Sequence, residues 1–130
     1  MKSRYKRRFS GPFLDRFDLQ VEVPRLRVLE LAGPRGESSS DVRARVTVAR
    51  RRQFDERGRL NRELGRRDLD DLEWSDGAMA RLGEAAAGDR LTARGWDRIR
   101  RVARTVADLD DSAVVHGGHI ATALGMRVTL

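Results

Sequence analysis

Cysteine is absent from the sequence, aromatic residues make up only 5% of it, and the two histidines are His116 and His119. Without cysteine there are neither disulfides nor thiolate metal sites, and two histidines are too few to bind a metal unaided. At their i, i+3 spacing near a helix start, we expect them to lie at the surface or cap that helix. No apolar run approaches the roughly 20 residues of a membrane span, and no signal-peptide core follows the basic N-terminus. We therefore expect a cytoplasmic protein with no membrane partner.

The charge of the chain is strongly basic and unevenly distributed. The 130 residues fit one domain with a modest core, and 36% charged with 39% apolar residues is typical of a helical domain with aliphatic packing. The net charge is +7; residues 1–16 contain six cations and one acid, and residues 41–67 contain ten cations and four acids. This distribution favours an anionic partner such as nucleic acid or a nucleotide phosphate.

Residues 91–109 form the most strongly amphipathic segment. Thr92 is the predicted N-cap, because its hydroxyl can accept a hydrogen bond from a first-turn amide. The apolar residues that recur at helical spacing are Trp96, Ile99, Val102, Ala103, Val106 and Leu109. The arginines expected on the opposite, solvent side are Arg94, Arg98, Arg101 and Arg104. Arginines in such a pattern ordinarily form a solvent-exposed helix face with no specific partner.

Further helices are predicted around this central one, making a small bundle. A helix from residue 39 or 40 to residue 57 is expected to end at Gly58 and to bury Val42, Val46, Ala49 and Phe54. Shorter helices are expected at 25–31 and near 69–72, and others at 76–88, with Asp76 as the cap, and at 117–126. The densest basic run is Arg50, Arg51 and Arg52, for which a nucleic-acid contact and a solvated face are both open.

Residues 18–23, DLQVEV, alternate apolar and polar side chains and predict one β-strand, which Pro24 ends. Nothing else in the sequence alternates as clearly, so the strand lacks a partner. It pairs with a second copy of the chain or belongs to a larger sheet.

Several motifs resemble one family, the magnesium-chelatase-like AAA+ ATPases of the ComM or YifB type. The resemblance begins with YKRRFSGPFLDRFDLQVEVP at residues 5–24 and continues with GESS at 36–39 and the arginine-rich helix. Asn61 with Leu64 and LTARGWDRIRRVARTVADL at 91–109 follow in the same order. The resemblance implies a mainly α fold, an AAA+ helical lid bundle preceded by a short remnant of the α/β core. It divides the chain into the end of the core at 1–24, a linker at 25–40 and the lid at 41–130.

The resemblance also implies two residues that act on nucleotide. Arg16 corresponds to an arginine finger that acts in trans on a neighbouring subunit, and Arg94 to a sensor-2-type arginine that contacts nucleotide phosphate. A guanidinium suits both roles because it is planar and permanently charged. The residues alone, without the resemblance, favour an ion pair of Arg16 with Asp15 or Asp18. Arg98 and Arg101 share the arc of Arg94 as weaker candidates.

The sequence contains no G-x-x-x-x-G-K-[ST] phosphate loop, so this chain by itself is not expected to bind or hydrolyse ATP. The family implies ATP and Mg²⁺ in the complete assembly, an AAA+ core, and identical subunits in a ring, expected to be a hexamer. It implies a motor that acts on DNA in branch migration during transformation or recombination. The alternatives are a chelatase motor for porphyrin metallation and a free-standing basic helical module that binds nucleic acid.

Overall fold

The computed structural model describes residues 11–14, 16–89 and 91–128, in which all regular secondary structure is helical. The basic segment 1–8 lies outside the described residues. The α-helices are α1 (Gly11–Leu14), α2 (Val28–Ala32), α3 (Ser39–Arg57), α4 (Arg66–Asp70), α5 (Asp76–Asp89), α6 (Ala93–Leu109) and α7 (Gly117–Gly125). A 3-10 turn at Asn61–Glu63 lies between α3 and α4. The predicted mainly α class is confirmed.

The ends of the long helices follow from their capping residues. The Thr92 hydroxyl accepts from the Gly95 amide at 3.1 Å, which confirms it as the N-cap of α6. α3 ends at Gly58, whose φ of 70° lies in the left-handed region that glycine adopts without strain. The predicted Asp76 cap is wrong, because Ser75 accepts from the Ala78 amide at 3.1 Å and Asp76 is already helical.

The core lies between α5, α6 and α7. Its fully or nearly buried members are Ala78, Leu82, Ile99, Ala103, Ala107, Val115, Ile120 and Ala123, with Trp74, Trp96 and Val102 packed against them. The chain segments that lead into α5 and α7 are joined by a parallel bridge between Trp74 and Val115. The Ser75 amide donates to the Val115 carbonyl at 2.9 Å, and the Val115 amide donates to the Glu73 carbonyl at 3.0 Å. These bonds fix where both helices begin.

α3 packs on α6 mainly through its C-terminal half. Ala49 and Gln53 are buried there, whereas Val42, Val46 and Phe54 are exposed by 39%, 42% and 51%. The prediction that these three side chains point into the core is therefore wrong. The N-terminal half of α3 extends past the bundle, so its apolar side has no neighbouring helix among the described residues to cover it.

The strand predicted at residues 18–23 is not formed in the described chain. The side chains of this segment are exposed, Val23 by 85%, and its attachment to the bundle includes the Gln20 amide, which donates to the Met126 carbonyl at 2.7 Å. A strand needs a second strand beside it to satisfy its backbone, and no described segment lies there. The following α2 is equally exposed, with Val28 at 81% and Leu29 at 85%.

Candidate functional site

The N-terminus of α6 presents an unneutralised positive end. Arg94 is the second residue of the helix, its side chain is exposed, and the first turn contains no acidic residue. First-turn amides lack acceptors within a helix, and the helix dipole adds partial positive charge there. Within the described chain no carboxylate pairs with Arg94. A phosphate group fits this terminus, because the guanidinium and the amides attract the same anion.

An open cleft with a volume of about 420 Å³ lies beside this terminus, and its lining includes Leu91, Thr92, Ala93 and Trp96. Two arginines also line it, but both are paired. Arg66 contacts Asp97 at 3.1 Å, and Arg100 contacts Asp70 at 2.6 Å. The guanidinium of Arg100 also lies 5.2 Å from the centre of the Trp74 ring. The two arginines that line the cleft are therefore neutralised by carboxylates, whereas Arg94 is not neutralised by any described residue.

Arg98, one turn further along α6, joins this helix to the segment that carries Arg16. Its Nε atom lies 3.3 Å from a carboxylate oxygen of Asp18. Arg101 instead donates to the Leu64 carbonyl at 3.3 Å, so it connects α6 to the loop after the 3-10 turn. These two arginines, expected as weaker phosphate candidates, have structural contacts.

Arg16 lies exposed in the turn that follows α1. Its amide donates to the Phe13 carbonyl at 3.2 Å, and the Phe13 and Phe17 rings meet edge to face with centroids 5.2 Å apart. Asp18 is in contact with Arg98, and the Arg16 side chain has no partner within the described part of the chain. Asp15, the other acid considered for Arg16, lies outside the described residues. Among the described residues, then, no acid neutralises the Arg16 guanidinium.

The spacing of Arg104 predicted that it lies on the solvent side of α6. This prediction is wrong, because Arg104 is only 1% exposed. Its guanidinium contacts Asp108 at 3.0 Å and donates to the carbonyls of Ser112 and Ala113. Arg57 reaches the other Asp108 oxygen at 2.5 Å. Burial lowers the pKa of Arg104, and the Asp108 carboxylate acts in the opposite direction. The i, i+4 spacing of Arg104 and Asp108 was the sequence signal for this pair.

The run of three arginines on α3 is divided by the structure. Arg52 is half-buried, contacts Asp111 and lies 3.7 Å from Glu56. Arg50 and Arg51 are exposed, and their side chains have no partner among the described residues. Arg50 and Arg51 therefore remain candidates for contact with an anionic polymer, whereas Arg52 serves as a structural link between α3 and the end of α6.

The expectation that the histidines lie at the surface or cap a helix is confirmed, because His116 is exposed and the His119 side chain caps the start of α7. The His116 amide donates to Nδ1 of His119 at 2.9 Å, and Nε2 of His119 lies 3.0 Å from Asp110. In the described residues no group of three His, Cys, Asp or Glu side chains is placed to bind a metal ion. None of the described helices combines the length and apolarity needed to cross a bilayer.

The fold and the free arginines define a small helical module with a phosphate-compatible helix terminus. Residues 36–127 match the family model of the magnesium chelatase subunit ChlI C-terminal region, and residues 1–31 match that of the magnesium chelatase subunit ChlI. The chain belongs to this magnesium-chelatase-like family.

Several known proteins are similar to this chain over nearly all of its length. It is 38% identical over 134 residues to the uncharacterized protein YifB of Escherichia coli and 40% identical over 127 residues to the competence protein ComM of Haemophilus influenzae. Each comparison covers 95% of this chain and 25% of the relative. An uncharacterized Mycobacterium bovis protein is 37% identical over 136 residues. The chain thus spans about a quarter of the length of the curated relatives it matches.

Proposed function

We propose that this chain serves as the lid-bearing carboxy-terminal part of a ring-forming AAA+ ATPase that acts on DNA. Residues 1–24 would complete the ATPase core, residues 25–40 would connect it to the lid, and residues 41–130 would form the lid. The core, with its phosphate loop and Mg²⁺ site, would come from a part of the protein outside this chain. One relative is named competence protein ComM, which supports a role in competence. We assign DNA to the motor as its substrate and branch migration in recombination as its reaction.

The observation that carries the proposal is the contrast between Arg94 and its neighbours. Arg66, Arg98 and Arg100 are all in ion pairs, whereas Arg94 is exposed beside free helix amides. In the proposed assembly Arg94 would hold a phosphate of the nucleotide bound to the core of its own subunit. ATP would supply the transferable γ-phosphoryl group. Arg94 and Arg16 would both recognise the negative charge of its phosphates.

Arg16 would act on the nucleotide of the adjacent subunit. Its exposure and its lack of a partner in the described chain leave the guanidinium free to contact a γ-phosphate across a subunit boundary. Negative charge spreads over the γ-phosphate oxygens in the transition state, so a cation placed there accelerates hydrolysis more than it strengthens nucleotide binding. The neighbouring subunit would be an identical chain in the ring.

The test of the finger uses a full-length protein that carries this chain. We expect Arg16→Ala to lower ATP turnover by about 10³-fold or more while nucleotide affinity stays within a few-fold, measured by phosphate release and by fluorescent-nucleotide titration. The matched control is Arg35→Ala, which removes an exposed arginine from the linker. Unchanged turnover, or loss of nucleotide binding, would reject the role of Arg16.

Mixed rings separate action in trans from action in cis. Subunits with Arg16→Ala but an intact phosphate loop are combined with subunits that have Arg16 but an inactivated phosphate loop. We expect partial recovery of turnover, because Arg16 of a subunit with an inactivated phosphate loop would act on the nucleotide bound by a neighbouring Arg16→Ala subunit. No recovery, in mixtures shown to form rings, would contradict a finger acting between subunits.

A chelatase motor is the second candidate, because the matched family models are named for magnesium chelatase. In that case the motor would drive magnesium insertion into a porphyrin, and both ion and porphyrin would be substrates. The two functions differ in what stimulates ATP turnover. Stimulation of the full-length protein by DNA and not by porphyrin supports the DNA motor, and the reverse result supports the chelatase.

A further inference from the structure

The outer face of α3 concentrates basic side chains that the nucleotide site does not use. At 100° per residue, an arc of about 100° contains Arg43, Thr47, Arg50, Arg51 and Phe54. All five are exposed, and the arc points away from the buried side of α3. Its length from first to last residue is about 16 Å, at 1.5 Å per residue. We call these five residues the arginine face.

The arginines of this face differ from several others in the bundle. Arg45 pairs with Glu37, Arg52 with Asp111 and Arg59 with Asp68. Among the described residues, the side chains of Arg43, Arg50 and Arg51 have no such partner. Three guanidinium charges on one helix face repel each other without compensation, so the face favours an anion with repeated charges.

Phe54 adds an apolar ring to this charged surface. It lies three and four residues after Arg51 and Arg50, so the ring and the guanidinium groups are neighbours on the helix surface. Its side chain is 51% exposed, although the sequence pattern predicted burial. Proteins that bind single-stranded nucleic acids combine exposed aromatic rings with neighbouring cations, with phosphates on the cations and an unpaired base stacked on the ring.

We infer that the arginine face binds single-stranded DNA, with Arg43, Arg50 and Arg51 on phosphates and Phe54 stacked against a base. A duplex is a poorer fit, because its stacked bases are not available to Phe54. The face is about 16 Å long, which is enough to contact several consecutive phosphates of one strand. Arg52 takes no part, since it is held by Asp111. The inference rests on the proposed function for the choice of DNA as the polymer.

Binding is measured with the isolated 130-residue chain, without nucleotide, by fluorescence anisotropy of a labelled oligonucleotide of about 15 nucleotides. Three phosphate contacts at about 0.7 each predict a slope near −2 for log K against log salt, so affinity falls ~20-fold between 50 and 200 mM salt. The triple variant Arg43→Gln, Arg50→Gln, Arg51→Gln should lose most of this slope. Phe54→Ala should weaken binding at least about fivefold while the slope is kept.

The matched control removes the same charge from three exposed arginines outside the face. The variant Arg35→Gln, Arg62→Gln, Arg67→Gln, whose arginines are exposed and have no ion pair among the described residues, should retain most of the slope and bind within about threefold of the unchanged chain. Equal losses in the two triple variants would overturn the inference, because net charge would then explain binding. Equal affinity for a duplex, or no effect of Phe54→Ala, would overturn the single-stranded contact.

The same assay distinguishes this inference from the proposed function. Arg16→Ala and Arg94→Ala should bind the oligonucleotide within about threefold of the unchanged chain, since each removes one charge outside the arginine face. Absence of binding at low salt would overturn the inference and leave the ATPase tests unaffected. Loss of turnover without a change in binding would separate the two sites.

Discussion

At the scale of single residues, the burial of Arg104 shows how charge is used structurally in this bundle. Its guanidinium and that of Arg57 meet the two oxygens of Asp108, and Asn61 donates to the same carboxylate at 2.7 Å. A buried carboxylate with this many donors is compensated. Removal of its charge leaves the buried Arg104 without a counter-charge and leaves Arg57 with only Glu56, 3.6 Å away. Asp108 therefore fixes the positions of α3, the 3-10 turn and α6 together.

We predict that Asp108→Asn lowers the free energy of unfolding by about 3 kcal/mol, because it strands the buried Arg104 charge. Urea denaturation followed by circular dichroism measures the change. Glu37→Gln is the control: it breaks an ion pair with Arg45 whose two side chains are about half exposed, so the cost should stay below about 1 kcal/mol. Equal effects of the two substitutions would show that the buried cluster contributes no more than a surface pair.

At the scale of elements, the two halves of α3 differ in what holds them. The C-terminal half buries Ala49 and Gln53, and Gln53 accepts from the Asn61 amide at 2.9 Å. The N-terminal half has its Ser38 cap and no buried side chain. A helix segment without tertiary packing is stabilised by little more than its own hydrogen bonds, so it opens more often.

We therefore predict that amides of residues 43–47 exchange with solvent at least about tenfold faster than those of residues 52–57. Hydrogen exchange followed by NMR gives the rates of both halves in one sample. The C-terminal half of α6, which is packed along its length, serves as the reference for strong protection. Uniform protection through α3 would contradict the prediction.

Helix positions were predictable from sequence, but the burial of many side chains was not. Thr92 and Gly58 mark helix ends by local chemistry, so both boundaries were found. Spacing identifies a helix face without showing whether a neighbour covers it, which is why Val42 and Phe54 were misplaced. The burial of Arg104 depends on carbonyls from the loop after α6, which spacing does not reveal.

The candidate site was predictable only in part, for the same reason. The resemblance assigned Arg16 and Arg94, and the structure leaves both side chains exposed; their roles stay predictions. The pairing of Arg66, Arg98 and Arg100, which distinguishes Arg94 from them, requires acids at distant positions such as Asp18 and Asp70. The arginine face likewise appears only after Arg52 is seen to pair with Asp111.

At the scale of the whole molecule, the first third of the described chain is unlike the rest. Between residues 17 and 31 the large apolar side chains are exposed, several by more than 60%, while the buried core begins at Ala49. Apolar exposure on this scale marks a surface that another body of protein covers. In the proposed assembly, the ATPase core would cover it.

We predict that brief trypsin digestion of the 130-residue chain cuts first after Arg25, Arg27 or Arg35, which lie exposed next to short or irregular segments. A fragment that begins between residues 26 and 36 and contains α3 to α7 should accumulate, as identified by mass spectrometry. First cuts within α5, α6 or α7 would contradict this. In a longer protein that supplies the core, these sites should become slower to cleave.

Asp18 and Gln20 fasten the irregular segment before α2 to the bundle at two separate points, Arg98 on α6 and the Met126 carbonyl after α7. Two attachments suppress rotation that a single one would permit. In the proposed assembly, these two contacts would couple movement of the segment that carries Arg16 to movement of the helix that carries Arg94. If the proposed ring is formed, the nucleotide state of one subunit would reach the next through residues 16–20.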